Sequence, residues 1–200
     1  PADCGPVTLS MCQDVQAEAF DYPVSFFEPQ VWYQRRIRPD IGELARVAEA
    51  VKTAKNPVII AGGGVHYSDA CADLQAFAEA HGIPVAETQA GKSALAWDHP
   101  LNLGPIGVTG GEPANDVCEK ADLVLGVGTR FQDFTTGSWG LFANPQRKVI
   151  SLNIAAYDAA KHGAMPLMAD AKIGLAELGD AIDGYKVDIG VAPLKADWFG

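Results

Sequence analysis

"VIIAGGGVHYSDA", Val58 to Ala70, is an apolar run that stops at three glycines, followed by a polar turn and the start of a helix. A short, continuous apolar run is the pattern of a strand buried on both faces. Glycines at its end permit positive φ and close approach of another backbone. A turn leading into a helix also presents free N–H groups, which suits an anion. The same composition makes a plain tight turn, so this stretch alone leaves both readings open.

Strands and helices alternate outward from it. Ile41, Leu44, Ala45, Ala48 and Val51 recur at helical spacing, and "KNP" closes that helix before the strand. Downstream, "SDACADLQAFAEAHG" (68–82) places Leu74, Phe77 and Ala78 on one face, with Ser68 or Asp69 to cap its start and Gly82 to end it. Further strands are read at "IPVAET" (83–88), "LNLG" (101–104), "DLVLGVG" (122–128), "KVISLNI" (148–154) and "MPLMAD" (165–170). A helix at 111–121 has Pro113 near its first turn, and a closing helix over 171–182 takes Asp170 as its cap. Apolar strands alternating with helices predict a parallel sheet covered on both faces. The expected fold is a three-layer α/β/α, Rossmann-like domain with six parallel strands in the order 3-2-1-4-5-6.

That order places the first and fourth strands side by side where the winding reverses, and ligands of such sheets sit there, outside the carboxyl ends. The chain's two glycine-rich loops, Gly62-Gly63-Gly64 and "GVGTRFQDF" (126–134), therefore share one crevice. Gly128 and Thr129 lie in the second loop, Arg130 adds a fork suited to phosphate, and His66 lies beside the first loop. The first loop is not G-x-G-x-x-G, because Tyr67 stands at the last glycine, and only Glu87 could serve as a ribose partner at the end of strand two. An ordinary nicotinamide dehydrogenase is not supported.

Other chemistries find little footing. "AETQAGKS" (86–93) nearly matches a P-loop, but Ala86 replaces the first glycine. His66, His81, His99 and His162 show no metal spacing, and no G-x-S-x-G occurs. Asp14, Glu18, Asp73 and Glu79 read as solvated acids. The net charge of −10 tells against nucleic acid and anionic membranes, and no apolar run is long enough to span a bilayer. With no signal peptide visible, and four cysteines (Cys4, Cys12, Cys71 and Cys118) forming no C-x-x-C, reduced thiols and a cytoplasmic location are expected.

Two N-terminal segments differ from the rest. "GPVTLSMCQDVQ" (5–16) alternates as a half-buried strand through Val7, Leu9 and Met11, with no neighbouring partner. "FDYPVSFFEPQVWYQRRIRPD" (20–40) has prolines at 23, 29 and 39 among six aromatics, which predicts an ordered connector lying against a surface. The chain begins at Pro1 and stops at Trp198-Phe199-Gly200, as expected of a piece of something longer.

Several segments, in this order and spacing, resemble thiamine-diphosphate enzymes related to acetohydroxyacid synthase. "GPVTLSMCQDVQ" resembles the end of their pyrimidine-binding domain. "AKNPVIIAGGGVHYSDA", "ADLVLGVGTRFQDFTTG" and "KVISLNIAAYDAAKHGAMPLMADAKIGLAEL" resemble their central domain. Within the family, "DVQAEAFDYPVSFF", "ETQAGKSAL", "GVTGGEPAN" and "GTRFQDFTTGS" look most like the ring-opening carbon–carbon hydrolases of myo-inositol catabolism. The resemblance implies a tail of the preceding domain over 1–22, a connector over 23–39, the central domain over 40–185 and the start of a linker over 186–200.

It also implies thiamine diphosphate and magnesium held by other domains, a small-molecule substrate, and a homo-oligomer, dimer or tetramer. The activating Glu segment and the Gly-Asp-Gly…Asn-Asn motif of the family are not in this sequence, so no catalytic residue is expected here. In the family's central domain the crevice holds FAD, ADP or nothing. Its residues here are Gly62, Gly63, Gly64, His66, Gly128, Thr129, Arg130, Asp133 and Asn153. Two departures weigh against FAD: Phe134 replaces the second Arg of Arg-Phe-Asp-Asp-Arg, and Asn153 replaces a ribose-binding acid. The alternatives are an acetolactate-forming enzyme with FAD in this domain, and a stand-alone nucleotide-binding module.

Overall fold

The computed structural model describes residues 6–31, 33 and 35–194, and the chain divides into two units, Pro1–Arg35 and Arg36–Gly200. In the first unit the expected strand is absent. Residues 6–12 are irregular, Val7, Leu9 and Met11 are exposed, and a short helix α1 (Gln13–Ala17) follows. A strand is stable only when its backbone groups are paired, and no partner strand is present among the described residues. After Pro23 the chain makes one 3-10 turn, Val24–Phe27, and Tyr22, Phe26 and Phe27 gather their rings with Phe20.

The second unit is the six-stranded sheet. Helix α2 (Ile41–Lys52) starts where Asp40 accepts from the N–H groups of Gly42 and Glu43, at 2.8 and 3.0 Å. Val47, Ala48 and Val51 turn inward, but Ile41 is exposed, because the first helical residue precedes the buried stripe. Strand β1 (Pro57–Ala61) is buried throughout. The next elements are α3 (Gly63–Tyr67), α4 (Cys71–His81), β2 (Val85–Glu87), β3 (Asn102–Pro105), α5 (Glu112–Lys120) and β4 (Leu123–Val127). Then come α6 (Asp133–Thr136), β5 (Lys148–Asn153), α7 (Ala156–Ala160), β6 (Met165–Met168) and α8 (Ala171–Ala181). All strand pairs are parallel and the order is β3-β2-β1-β4-β5-β6, as the sequence predicts.

Side chains alternate between two cores. Ile59, Leu125, Ile150, Leu152 and Leu167 pack with Val51, Leu74, Leu175 and Leu178 of α2, α4 and α8. Val58, Ile60 and Val124 pack on the other face with Val117 and Cys118 of α5 and with Phe131 and Phe142. Val191 also packs into this second core. Burial pushes the Cys118 thiol up to about 12.

One capping expectation is reversed. Asp69 does not start a helix but ends one: it takes φ 54°, Ala70 N–H donates to Val65 O at 2.9 Å, and Asp69 N–H donates to His66 O at 2.9 Å. That is the hydrogen-bond pattern of a Schellman terminator, with Asp in the place usually held by Gly. Helix α4 then starts at Cys71 without a side-chain cap. Its other end is as expected, with Gly82 at φ 66°. Asp170 does cap α8, accepting from Lys172 N–H at 3.0 Å. It also takes Arg36 Nη1 at 3.0 Å from both carboxylate oxygens, while the same nitrogen donates to Ser68 O at 2.6 Å.

Candidate functional site

The crevice forms at the carboxyl ends of β1 and β4, where the order reverses. Its two glycine loops do not stand apart. Gly62 N–H donates to Val127 O at 2.8 Å, Gly64 N–H to Gly128 O at 3.0 Å, and Gly128 N–H to Leu152 O at 2.9 Å. A Cβ on Gly62 would fall 2.3 Å from Gly128 O, and one on Gly64 would fall 2.6 Å from Gly128 Cα. The glycines thus let two backbones touch, and their N–H groups are already taken. Gly63 opens a helix of only five residues and faces Ala90, 3.2 Å from where its Cβ would be.

The other expected residues are held by protein partners. Asn153 is buried. Its Nδ2 donates to Thr129 O at 3.0 Å and its Oδ1 accepts from Ala155 N–H at 3.1 Å, so it braces the loops after β4 and β5. An acid at this position could not make the first of these bonds. Thr129 is also buried, and its hydroxyl accepts from Phe131 N–H. Arg130 is largely exposed and pairs with Asp158 at 3.5 Å. Asp133 accepts from the Ser138 hydroxyl at 3.1 Å. Glu87 is buried and accepts Leu95 N–H at 3.0 Å, so its carboxylate is engaged within the segment that follows β2. The P-loop-like segment folds back onto β1: Thr88 N–H donates to Ala61 O, and a Cβ on Gly91 would fall 2.0 Å from that same oxygen. Three glycine N–H groups of the crevice, those of Gly62, Gly64 and Gly128, are paired within the protein and backbone occupies the space beside these glycines, so this seam offers no cradle for the phosphates of a flavin or an adenine nucleotide.

His66 gives a contact that sequence spacing missed. Its Nε2 lies 3.0 Å from Lys92 O, which can only accept, so Nε2 carries the proton. Nδ1 then accepts the Cys71 S–H at 3.4 Å. Burial, with Asp69 and Glu87 adding to it, pushes the thiol up, so the pair holds a neutral thiol rather than a thiolate. Five residues and a helix break separate the two, and no motif marks that spacing. Among the described residues, four of the six non-glycine residues at positive φ, Phe131, Ser138, Trp139 and His162, lie in the loops after β4 and β5. There the rings of Trp139 and His162 sit 4.4 Å apart, and burial lowers the His162 pKa. Among the described residues no three His, Cys, Asp or Glu side chains converge to hold a metal, and no helix is long and apolar enough to cross a membrane.

A parallel sheet wound in two halves around a closed glycine seam defines a dinucleotide-fold domain in which the crevice is built into the scaffold. Residues 44–178 match the central domain of thiamine pyrophosphate enzymes, and the chain belongs to that family. It is 46% identical over 204 residues to 3D-(3,5/4)-trihydroxycyclohexane-1,2-dione hydrolase 1 of Bacillus cereus, covering 99% of this chain and 31% of that protein. It is 44% identical over 200 residues to the corresponding hydrolase of Halalkalibacterium halodurans, with the same coverage. Among solved structures, a chain described as a thiamin diphosphate-dependent enzyme from Mycobacterium smegmatis superposes with a TM-score of 0.63 at 25% identity. That match covers 78% of this chain and 30% of the other. The chain therefore spans about a third of the length of the curated relatives it matches.

Proposed function

We propose that this chain is the central, non-catalytic domain of a thiamine-diphosphate-dependent carbon–carbon hydrolase. The full enzyme would open trihydroxycyclohexane-1,2-dione to 5-deoxy-glucuronate in cytoplasmic inositol catabolism, acting as a homo-oligomer. The observation that carries this reading is 44–48% identity to such hydrolases across 99% of the chain. Thiamine diphosphate, held with magnesium by other domains, would supply an electron sink for cleavage of the carbon–carbon bond. The residues of this chain would space the catalytic domains and support their contacts. A flavin or adenine nucleotide has no part in the reading, because Asn153 and the glycine seam serve the fold.

The test is expression of the longer reading frame and assay of ring opening with thiamine diphosphate and Mg2+. Turnover that depends on both supports the reading, and an inactive holoenzyme on this dione sinks it. A thermal-shift panel with FAD and ADP is the companion test. A ligand of the native state at 100 times its Kd adds about 2.7 kcal/mol, so a flat panel is expected. A shift abolished by Arg130→Ala would instead favour a nucleotide-binding module.

A further inference from the structure

His66 and Cys71 take no part in the glycine seam. Their side chains meet because the chain reverses between α3 and α4. Asp69 ends α3 at φ 54°, and Ala70 N–H reaches back to Val65 O at 2.9 Å. Arg36 Nη1 holds the same turn by donating to Ser68 O at 2.6 Å. Backbone contacts thus bring Cys71, the first residue of the 11-residue α4, against the last turn of α3.

The contact has the order of a nucleophile, a base and a group that orients the base. The Cys71 S–H donates to His66 Nδ1 at 3.4 Å, and His66 Nε2–H donates to Lys92 O at 3.0 Å. The carbonyl fixes the tautomer and leaves the lone pair of Nδ1 facing sulfur. His66 is exposed and Cys71 half-buried, so the sulfur is open to a small reagent. Helix α4 also starts at Cys71 without a side-chain cap, and a helix N-terminus favours negative charge developing on sulfur.

The site holds no preformed thiolate. Burial raises the Cys71 pKa, and Asp69 and Glu87 add to it. Without a base, such a thiol would react more slowly than an exposed one such as Cys12. Its proton has to leave as the new bond to sulfur forms, and Nδ1 is placed to take it. Cys118 is the contrast, buried in the second core with its thiol pushed up to about 12.

We propose that Cys71 is a site of reversible S-thiolation by small neutral disulfides, with His66 as the base that takes the thiol proton. The Cys71 sulfur attacks one sulfur of R–S–S–R. A bond forms between them, the S–S bond of the reagent breaks, and R–S⁻ leaves with that electron pair. The proton passes from Cys71 to Nδ1 and on to the leaving thiolate. Cys71 is oxidised to a mixed disulfide, the other half of the reagent is reduced to R–SH, and excess thiol reverses the step. None of this depends on the ring-opening reading.

The test is alkylation by iodoacetamide, and exchange with bis(2-hydroxyethyl) disulfide, on the full-length polypeptide across a range of pH. Mass spectrometry reads the Cys71 peptide, so no activity assay enters. At neutral pH Cys71 is expected to react at least as fast as Cys12, and dithiothreitol to remove the disulfide adduct. His66→Gln should slow Cys71 by at least about tenfold and leave Cys12 unchanged. It should also remove the first step of the pH–rate profile, leaving the alkaline rise of a plain thiol. The melting midpoint checks that the variant is folded. Should it unfold, the profile of the parent's Cys71 set against that of Cys12 tests the same base. Three results overturn the proposal: Cys71 as unreactive as Cys118, a rate unchanged by His66→Gln in the folded variant, or a pH profile the same as that of Cys12.

Discussion

Gly64→Ala separates a closed seam from an open nucleotide cradle by the sign of its effect. Gly64 lies inside α3 and has no positive φ. In an open site alanine would favour the helix by about 1 kcal/mol. Here the new Cβ would lie 2.6 Å from Gly128 Cα and 3.1 Å from Gly128 O, both backbone atoms. The two loops must part by several tenths of an ångström. That strains the Gly64 N–H to Gly128 O bond of 3.0 Å and the Gly62 N–H to Val127 O bond of 2.8 Å. Overpacking costs about 1–3 kcal/mol, and weakened backbone hydrogen bonds add about 1 kcal/mol. After the gain in helix propensity the net loss is about 1–3 kcal/mol. For a domain of this size that is a fall of roughly 2–12 °C in melting midpoint. Gly140→Ala is the control: nothing lies within 4 Å of its Cβ and its φ is not positive, so it should stay within about 0.5 kcal/mol of the parent. The assay is thermal and urea unfolding of both variants. An unchanged or raised midpoint for Gly64→Ala would refute the closed seam.

Further outcomes follow from single contacts. Asn153→Asp loses the donor to Thr129 O and sets a carboxylate against a carbonyl; urea unfolding should show a loss of about 1–3 kcal/mol, and titration calorimetry no gain of nucleotide affinity. Asp170→Ala removes the α8 cap and the partner of Arg36, whose side chain is 30% exposed, so the loss should be about 3 kcal/mol. In a double-mutant cycle, Arg36→Ala added to it should cost less than the two single losses summed. Tyr185, whose hydroxyl donates to Ala54 O, is pushed from 10.0 to about 12 by burial and then by Asp122. Cys118 is raised from 9.0 to about 12. Both favour the protonated form in the fold. Their contribution is therefore whole below about pH 9 and is lost between roughly pH 9 and 12. Tyr185→Phe with Cys118→Ala should flatten that alkaline limb in unfolding experiments. Glu79 is held below its ordinary 4.5 by hydrogen bonds from His99 and then Gln75, so its stabilisation is present above that value and lost as pH falls. Glu79→Gln should reduce the acid slope.

The sequence by itself determined the sheet and its winding. Buried parallel strands need apolar side chains on both faces, and Val58–Ala61 and Leu123–Val127 show that directly. Right-handed crossovers then leave few orders to choose from. Asp170 and Gly82 were legible as caps because capping depends on chemistry within four residues. Asp69 was misread because its carboxylate chemistry suits a helix start, whereas the Arg36 bond to the Ser68 carbonyl, 32 residues away, holds the turn it terminates. The half-buried pattern at Val7–Met11 remained without a partner, and alternation alone does not make a strand. The crevice was legible as a place but not as a state. That Gly62, Gly64 and Gly128 coincide follows from topology, but whether their N–H groups face a ligand or each other is decided by distances of a few tenths of an ångström. Only the tertiary structure brings Gly128 O to the N–H of Gly64, Asn153 to the Thr129 carbonyl and Cys71 to His66. Each of these is a contact between groups whose separation in the chain carries no local signal.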